Sequence, residues 1–437
     1  MFNPMRSPAA RLCCLDLDTF FVSVERILDP SLVGQPVIVG GRRGQRGVVT
    51  ACSYEVRAYG VRSGMSMVEA ERLAPPDAIF LPTRGGTYEP YSRQVRALLE
   101  AACPAVQAAS IDEFYLDYGG CDALLSRPGE PGGDEPLLRE VRALRQRIQD
   151  ELGLPASVGI GATRAIAKMA SRDAKPAGVF LVPLGQERAY VSLLPVRAFP
   201  GIGPVAESHL RQAGVLTLGQ LLDLPPGPLR HRVRGLRESV ERGIDPARAG
   251  SLGHHRPAFR EHDPQGVTVG SISNERTFLA DVREPGLVLD QLRALSERVA
   301  WRARGRDVRA RTVTLKLRYA DFETLTRART IPPTWEEGEI HRAILALYAE
   351  HRDPRRAVRL VGVALSNLVA PDRQLLLPFA DPERPDPGQA IDEVRRRFGY
   401  QAIRVGLAAE PGPDPLRVRD RGSPTPGRSA RRSAAGC

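Results

Sequence analysis

The sequence predicts a multidomain chain of mixed α/β and α+β class, and three observations carry that prediction. Two apolar, strand-like segments about a hundred residues apart, Leu12-Cys13-Cys14-Leu15-Asp16-Leu17-Asp18 and Ala109-Ser110-Ile111-Asp112-Glu113, lead into helix-patterned stretches. Residues 268–370 show strand and helix periods of their own. At 437 residues the chain exceeds a single hydrophobic core and divides into roughly three or four domains.

Taken in order, a strand over 11–17 runs into Asp18-Thr19-Phe20-Phe21, which has the acidic or hydroxyl cap of a helix N-terminus. Val37–Gly41 and Gly47–Ala51 are β-rich runs bounded by glycine, so a small sheet belongs between the two acidic strands. A helix near 88–102 precedes a hairpin over 108–118, and the Gly/Pro-rich stretch 126–136 reads as a loop. Leu137, Val141, Leu144, Ile148 and Leu152 recur at helical spacing up to Gly153. A strand over 156–160 and a helix over 165–172 follow.

From about 183 short helices dominate, with Pro200-Gly201-Ile202-Gly203-Pro204 ahead of a helix over 205–213. Residues 251–267 read as a polar linker. In the next unit Arg311–Arg318 alternates with period two, whereas Ile340, Ile344, Leu345 and Tyr348 lie at helical spacing. Ile391, Val394, Phe398 and Ile403 suggest one more helix, and the Pro/Ser/Gly/Arg-rich segment 411–437 is expected to be a disordered basic tail.

The formal net charge of +11 favours a polyanionic partner, nucleic acid before membrane. Six cysteines, at 13, 14, 52, 103, 121 and 437, form no C-x-x-C pair and sit near no histidines at zinc spacing, so reduced thiols are expected. No apolar run approaches the roughly 18 residues that span a bilayer, and residues 1–11 lack a signal core; a soluble, cytoplasmic protein is expected. Lysine occurs only at 168, 175 and 316, and two of these lie close together, as a site that wants a compact charge on phosphate would have it.

Acidic residues at the ends of apolar strands are costly to bury without a compensating cation, so Asp16, Asp112 and Glu113 point to a divalent metal and phosphoryl transfer. Adjacent strand residues face opposite ways, so Asp112 and Glu113 converge only at a hairpin turn. Exposed strand-end acids without a ligand would show the same pattern.

Three further stretches carry a resemblance. Asp16-Leu17-Asp18-Thr19-Phe20-Phe21, then Ser53-Tyr54-Glu55-Val56-Arg57-Ala58-Tyr59-Gly60-Val61-Arg62-Ser63-Gly64-Met65, then Ser110-Ile111-Asp112-Glu113 resemble, in order and spacing, the Y-family translesion DNA polymerases, in particular the bacterial DNA polymerase IV branch. The resemblance runs from about residue 11 to 405. It implies a right-hand polymerase: a palm over 1–19 and 84–182, fingers over 20–83, a helix-hairpin-helix thumb over 183–250, a little finger over 268–370, and a clamp-binding segment with a helix over 371–410.

It also implies roles. Asp16, Asp112, Glu113 and the carbonyl of Leu17 would hold two Mg2+ ions, and Phe21, beside Phe20, would be the steric gate that excludes a 2′-hydroxyl. Without the motif Phe21 reads as an ordinary core phenylalanine. Tyr54, Arg57 and Lys175 would grip the incoming deoxynucleoside triphosphate. Gly201 and Gly203 would let backbone N–H groups approach duplex phosphates, and Arg276, Arg318 and Arg327, with Arg309, Arg311 and Arg329, would track the primer-template DNA, some of them from one sheet face. Gln374, Leu375, Leu377 and Phe379 resemble a peptide that binds the sliding clamp, the beta subunit. Phe114 stands where many members have a smaller residue, and Ser110 has no histidine that would make it a nucleophile.

The expected activity is template-directed DNA synthesis by a monomer that tolerates damaged templates and lacks proofreading. A non-catalytic, clamp-bound DNA-binding accessory of the same fold is the alternative, and the intact carboxylates and Phe21 argue against it.

Overall fold

The computed structural model describes residues 11–127, 133–224, 231–248, 270–370 and 387–403. The expected linker 251–267, the clamp-like residues 374–379 and the tail 411–437 lie outside the described residues. Its strands are β1 (Leu12–Leu17), β2 (Val37–Gly40), β3 (Ala51–Cys52), β4 (Ile79–Pro82), β5 (Ala105–Ala108), β6 (Glu113–Asp117), β7 (Ala156–Gly161), β8 (Val179–Leu181), β9 (Ser271–Val282), β10 (Arg309–Tyr319), β11 (Thr324–Thr334) and β12 (Val358–Val369).

The first sheet has the order β5-β6-β1-β7-β8, which puts β1 at its centre, antiparallel to both neighbours. A central strand is covered on both faces and therefore reads as a continuous apolar run. Cys13, Leu15 and Leu17 share a core with the helices Glu89–Ala102 and Glu135–Leu152, while Leu12 and Cys14 pack with Tyr115 and Ala167 on the other face. Helix Glu135–Leu152 buries Leu137, Val141, Leu144 and Ile148 as the spacing predicts, and Gly153 ends it in the left-handed conformation. Gly159 lets helix Arg164–Asp173 lie directly on β7, because a Cβ there would stand 2.0 Å from the Ser171 backbone nitrogen. That close approach brings Lys168 and Lys175 to the end of β1.

The small sheet, β3-β2-β4, differs from expectation at one strand. Residues 47–49 are not a strand, because Met67 N–H bonds Gly47 O and Val49 N–H bonds Met65 O, pairing this stretch with the neighbouring loop; only Ala51–Cys52 joins β2. The helix Phe20–Leu28 is not capped as predicted either. Thr19, in the left-handed conformation (φ 47°), precedes it without a side-chain cap bond, and the Asp18 carboxylate is turned elsewhere.

Residues 187–244 form a helical unit around Val191, Leu210, Leu218, Leu221 and Val240. Gly201 (φ 98°) makes the tight turn before helix Pro204–Gln212, and the element ahead of that turn is only the 3-10 helix Val196–Ala198. The third sheet, β11-β10-β12-β9, is antiparallel throughout and covered by helices Pro285–Arg304 and Glu337–His351.

Its register corrects the expected arginine face. Arg276 lies opposite buried Val361, Arg327 opposite Leu315 and Arg329 opposite Val313, so these three share the helix-covered side, near its edges. Arg318, opposite Thr324, lies on the open side with Lys316, whose ion pair to Glu275 passes over Gly362. Residue alternation is reset by bulges at Ala310/Thr312 and Arg318/Tyr319, which spacing alone does not show.

Helix Pro387–Phe398, expected from its spacing, is tied to helix Pro285–Arg304 by charged pairs, with Ile391 and Val394 half-buried. Arg395 pairs with buried Glu297, Arg304 makes a two-pronged bond to Asp392 at 2.6 and 2.9 Å, and Tyr400 stacks near Trp301. Phe398 is 74 % exposed, and Ile403 lies beyond the helix. The five described cysteines, 13, 14, 52, 103 and 121, are free and buried, as expected of reduced thiols.

Candidate active site

The β1–β6 pairing assembles the site. Asp16 is the register partner of Glu113, and Leu17 N–H bonds Asp112 O at 2.9 Å, so both acidic segments end side by side. Glu113 is the first residue of β6 and Asp112 lies in the turn before it, which reconciles two adjacent acids with strand alternation. Ser110 Oγ donates to Asp112 Oδ1 at 2.5 Å and receives the Asp112 N–H at 3.3 Å, so Ser110 orients the turn acid.

Both nearby lysines are engaged. Lys168 Nζ reaches Glu113 Oε2 and Lys175 Nζ reaches Asp16 Oδ1, each at 2.5 Å. Burial pushes the Asp16 carboxyl above its ordinary value; Lys175 pulls it back, and the Asp112 and Asp18 charges push it up again.

Phe21 is half-buried and stacks face to face on Tyr88, with ring centroids 4.0 Å apart and planes 7° from parallel. Tyr88 is itself fixed: its hydroxyl donates to Glu25 Oε1 at 2.7 Å and accepts the Arg84 N–H at 3.2 Å, while the Arg84 guanidinium grips both oxygens of buried Glu25. Burial pushes the Tyr88 hydroxyl up to about 12, so it stays protonated. The Phe20 ring, 2 % exposed, belongs to the core, which leaves only its backbone to meet a ligand.

Tyr54 and Arg57 open and close the short helix Tyr54–Arg57, and the Arg57 guanidinium lies 4.8 Å over the Tyr54 ring. Arg57 Nε is buried without a hydrogen-bond partner, a donor ready for an anion. The Tyr54 hydroxyl donates to Asp18 Oδ1 at 3.1 Å, and burial followed by the Asp18 charge pushes its pKa well up.

Sequence comparison supplies the deciding observation. A model of the impB/mucB/samB family matches residues 15–172, and one of the impB/mucB/samB family C-terminal domain matches 269–377. The chain is 34 % identical over 401 residues to a DNA polymerase IV of Dehalococcoides mccartyi strain CBDB1, covering 91 % of this chain and 97 % of that one. With a DNA polymerase IV of Halorhodospira halophila it shares 38 % over 365 residues, covering 82 % and 96 %. The chain belongs to the impB/mucB/samB family of Y-family DNA polymerases.

In fold, this Y-family polymerase is similar to a chimera of the Y-family polymerases Dbh and Dpo4, with a TM-score of 0.67 at 22 % identity over 82 % of this chain and 99 % of that one. It is a translesion DNA-directed DNA polymerase whose substrates are DNA and deoxynucleoside triphosphates; the non-catalytic accessory is not favoured. Among the described residues no helix is long and apolar enough to cross a membrane.

Catalysis in the Y-family is metal-dependent, and the donors here fit a hard divalent cation: three carboxylates and the Leu17 carbonyl, all oxygen, at paired strand ends. Among the described residues no three His, Cys, Asp or Glu side chains converge closely enough to hold a metal as they stand, and Lys168, Lys175 and Ser110 each contact one of the acids. Glu25, Arg84 and Tyr88, which carry no motif signal, are the site residues that sequence reasoning missed. The pairing of an aromatic at 21 with one at 88 is set by the fold alone.

Proposed function

We propose that this polymerase holds two magnesium ions on Asp16, Asp112, Glu113 and the Leu17 carbonyl. The register pairing of Asp16 with Glu113 supports the proposal, because it brings the carboxylates of the two acidic segments side by side. Metal held there would activate the primer hydroxyl and stabilise the departing pyrophosphate.

The remaining roles follow from chemistry. Phe21 bars the 2′-hydroxyl with Tyr88 behind it, so the ring cannot yield. Arg57 and Lys175 neutralise the triphosphate, with Tyr54 and the backbone at Phe20 beside them. The turn at Gly201 and Gly203 offers backbone N–H groups to duplex phosphates without reading bases. Arg318 meets the template from the open sheet face, and Arg276 and Arg327 from the sheet's edges. Gln374, Leu375, Leu377 and Phe379 supply the glutamine and apolar anchors that suit a sliding-clamp groove, and the enzyme works as a monomer.

Primer extension with magnesium on intact and lesion-bearing templates tests the assignment. Asp112→Ala is expected to lower kcat at least about a hundredfold while primer-template affinity is retained. Extension at the wild-type rate would remove Asp112 from the site.

A further inference from the structure

We propose that Asp18 is the positioning residue of the triphosphate grip, holding Tyr54 and the Lys175 loop at a fixed offset from Asp16. The inference rests on the proposed roles of Tyr54 and Lys175 as nucleotide contacts. Asp18 follows β1 directly and is 1 % exposed. A buried carboxylate is costly unless its oxygens are satisfied, and here each is. Oδ2 accepts the Ser157 hydroxyl at 2.7 Å and the Ala177 N–H at 2.8 Å. Oδ1 accepts the Tyr54 hydroxyl at 3.1 Å, with Lys175 Nζ 3.8 Å away.

The backbone of Asp18 is pinned as well: its N–H bonds Pro155 O at 2.8 Å, and its carbonyl accepts the Ser23 hydroxyl at 2.8 Å. One side chain thereby joins four pieces of chain that are remote in sequence: the strand of Asp16, the helix of Tyr54, β7 and the loop 175–177. A buried ionic hub is weak evidence for stability, since well-packed apolar residues stabilise a core at least as well. What this hub does, and apolar packing would not, is set hydrogen-bond donors at chosen places. Three of its four donors lie on Tyr54 or on the loop 175–177, where the triphosphate would be gripped.

The Tyr54 hydroxyl has one proton, and in the free protein Asp18 takes it, just as Asp16 takes the Lys175 ammonium. An arriving triphosphate therefore meets donors already held near their working positions, and the ordering cost of binding falls. Asp18 touches no reacting atom; it acts through Tyr54 and Lys175.

Steady-state kinetics of single-nucleotide insertion test this, with primer-template affinity and thermal unfolding measured on the same proteins. Asp18→Asn keeps the shape and, with its one oxygen kept for Ser157 and Ala177, turns an NH2 toward Tyr54 and Lys175, so the Tyr54 hydroxyl loses its acceptor and Lys175 an anionic neighbour. It is expected to raise KM for the deoxynucleotide about tenfold or more, with a smaller change in kcat and unchanged primer-template Kd. Ser157→Ala, which removes one bond from the same oxygen, should move KM in the same direction by less. Asp18→Asn combined with Tyr54→Phe should fall short of the product of the two single effects, since both break one linkage.

An unchanged or lowered KM in Asp18→Asn, while Tyr54→Phe and Lys175→Ala raise it, overturns the role of Asp18 and leaves the nucleotide contacts standing. Multiplying effects in the double variant overturn it too. If Tyr54→Phe and Lys175→Ala both leave KM untouched, the nucleotide contacts themselves fail and the inference goes with them.

Discussion

On the proposed reading of Phe21 as the ring that excludes a 2′-hydroxyl, selectivity depends on a second residue, Tyr88. A ring that must refuse a single hydroxyl has to be backed by something that does not give, and the 4.0 Å stack on a tyrosine tied to Glu25 supplies that backing. Phe21→Ala is expected to raise ribonucleotide incorporation strongly. Tyr88→Leu should raise it by roughly tenfold with Phe21 intact, because the gate can then retreat. Competition between ribonucleotide and deoxynucleotide in primer extension measures both, and unchanged sugar discrimination in Tyr88→Leu would show that the ring stands unaided. The pairing of the two acidic strand ends was legible in the sequence, and Phe21 stood out only through the family motif. Tyr88, Glu25 and the partners of Asp18 were not, since each acts through a residue that only folding brings near.

Among the elements, the strands and helices around the site follow the periodicities closely, and what escaped prediction was how elements are joined. Helix Pro387–Phe398 was visible as a pattern, but the buried ion pair that ties it to helix Pro285–Arg304 was not. Arg395→Ala would strand the Glu297 charge in the core and should lower stability by about 3–5 kcal/mol. Replacing the pair together by Met at 395 and Leu at 297 should recover most of that loss, and denaturant unfolding of the full chain checks both. Full stability in Arg395→Ala would mean that Glu297 finds another partner. The division of the arginines between the two faces has a related origin: alternation within one strand is readable, but which face a residue shares with residues of another strand is set by the cross-strand register.

In the whole molecule, the sheet of β2–β4 and the sheet of β9–β12 meet through Arg46, which grips both oxygens of Asp281 at 2.6 and 3.0 Å, with Arg359 at 3.9 Å from the same acid. The bond to Arg46 holds the Asp281 carboxyl below its ordinary value. Such a group favours the joined state above the free carboxylate range, near 3.9, and loses that effect as pH falls through its lowered value. The distance between dyes on the two sheets of the DNA-free protein should therefore hold constant from pH 7 to about pH 5 and lengthen only in stronger acid. Arg46→Glu should lengthen it at neutral pH, an effect of roughly 0.2–1 kcal/mol that salt screens in the wild type. Equal distances in wild type and Arg46→Glu at low salt would remove the bridge as a determinant of domain placement.

The lysines on the acidic strand ends have a consequence for how the enzyme turns over. Lys168 on Glu113 and Lys175 on Asp16 each offset one carboxylate, while Asp112 is held by the Ser110 hydroxyl, so two cations face three acids in the waiting site. On the proposed reading Lys175 would exchange Asp16 for a nucleotide phosphate, which would leave the Asp16 carboxylate free to hold a cation. Release of product would reverse the exchange, and neither Lys175 nor Asp16 would then stand unpaired between one addition and the next.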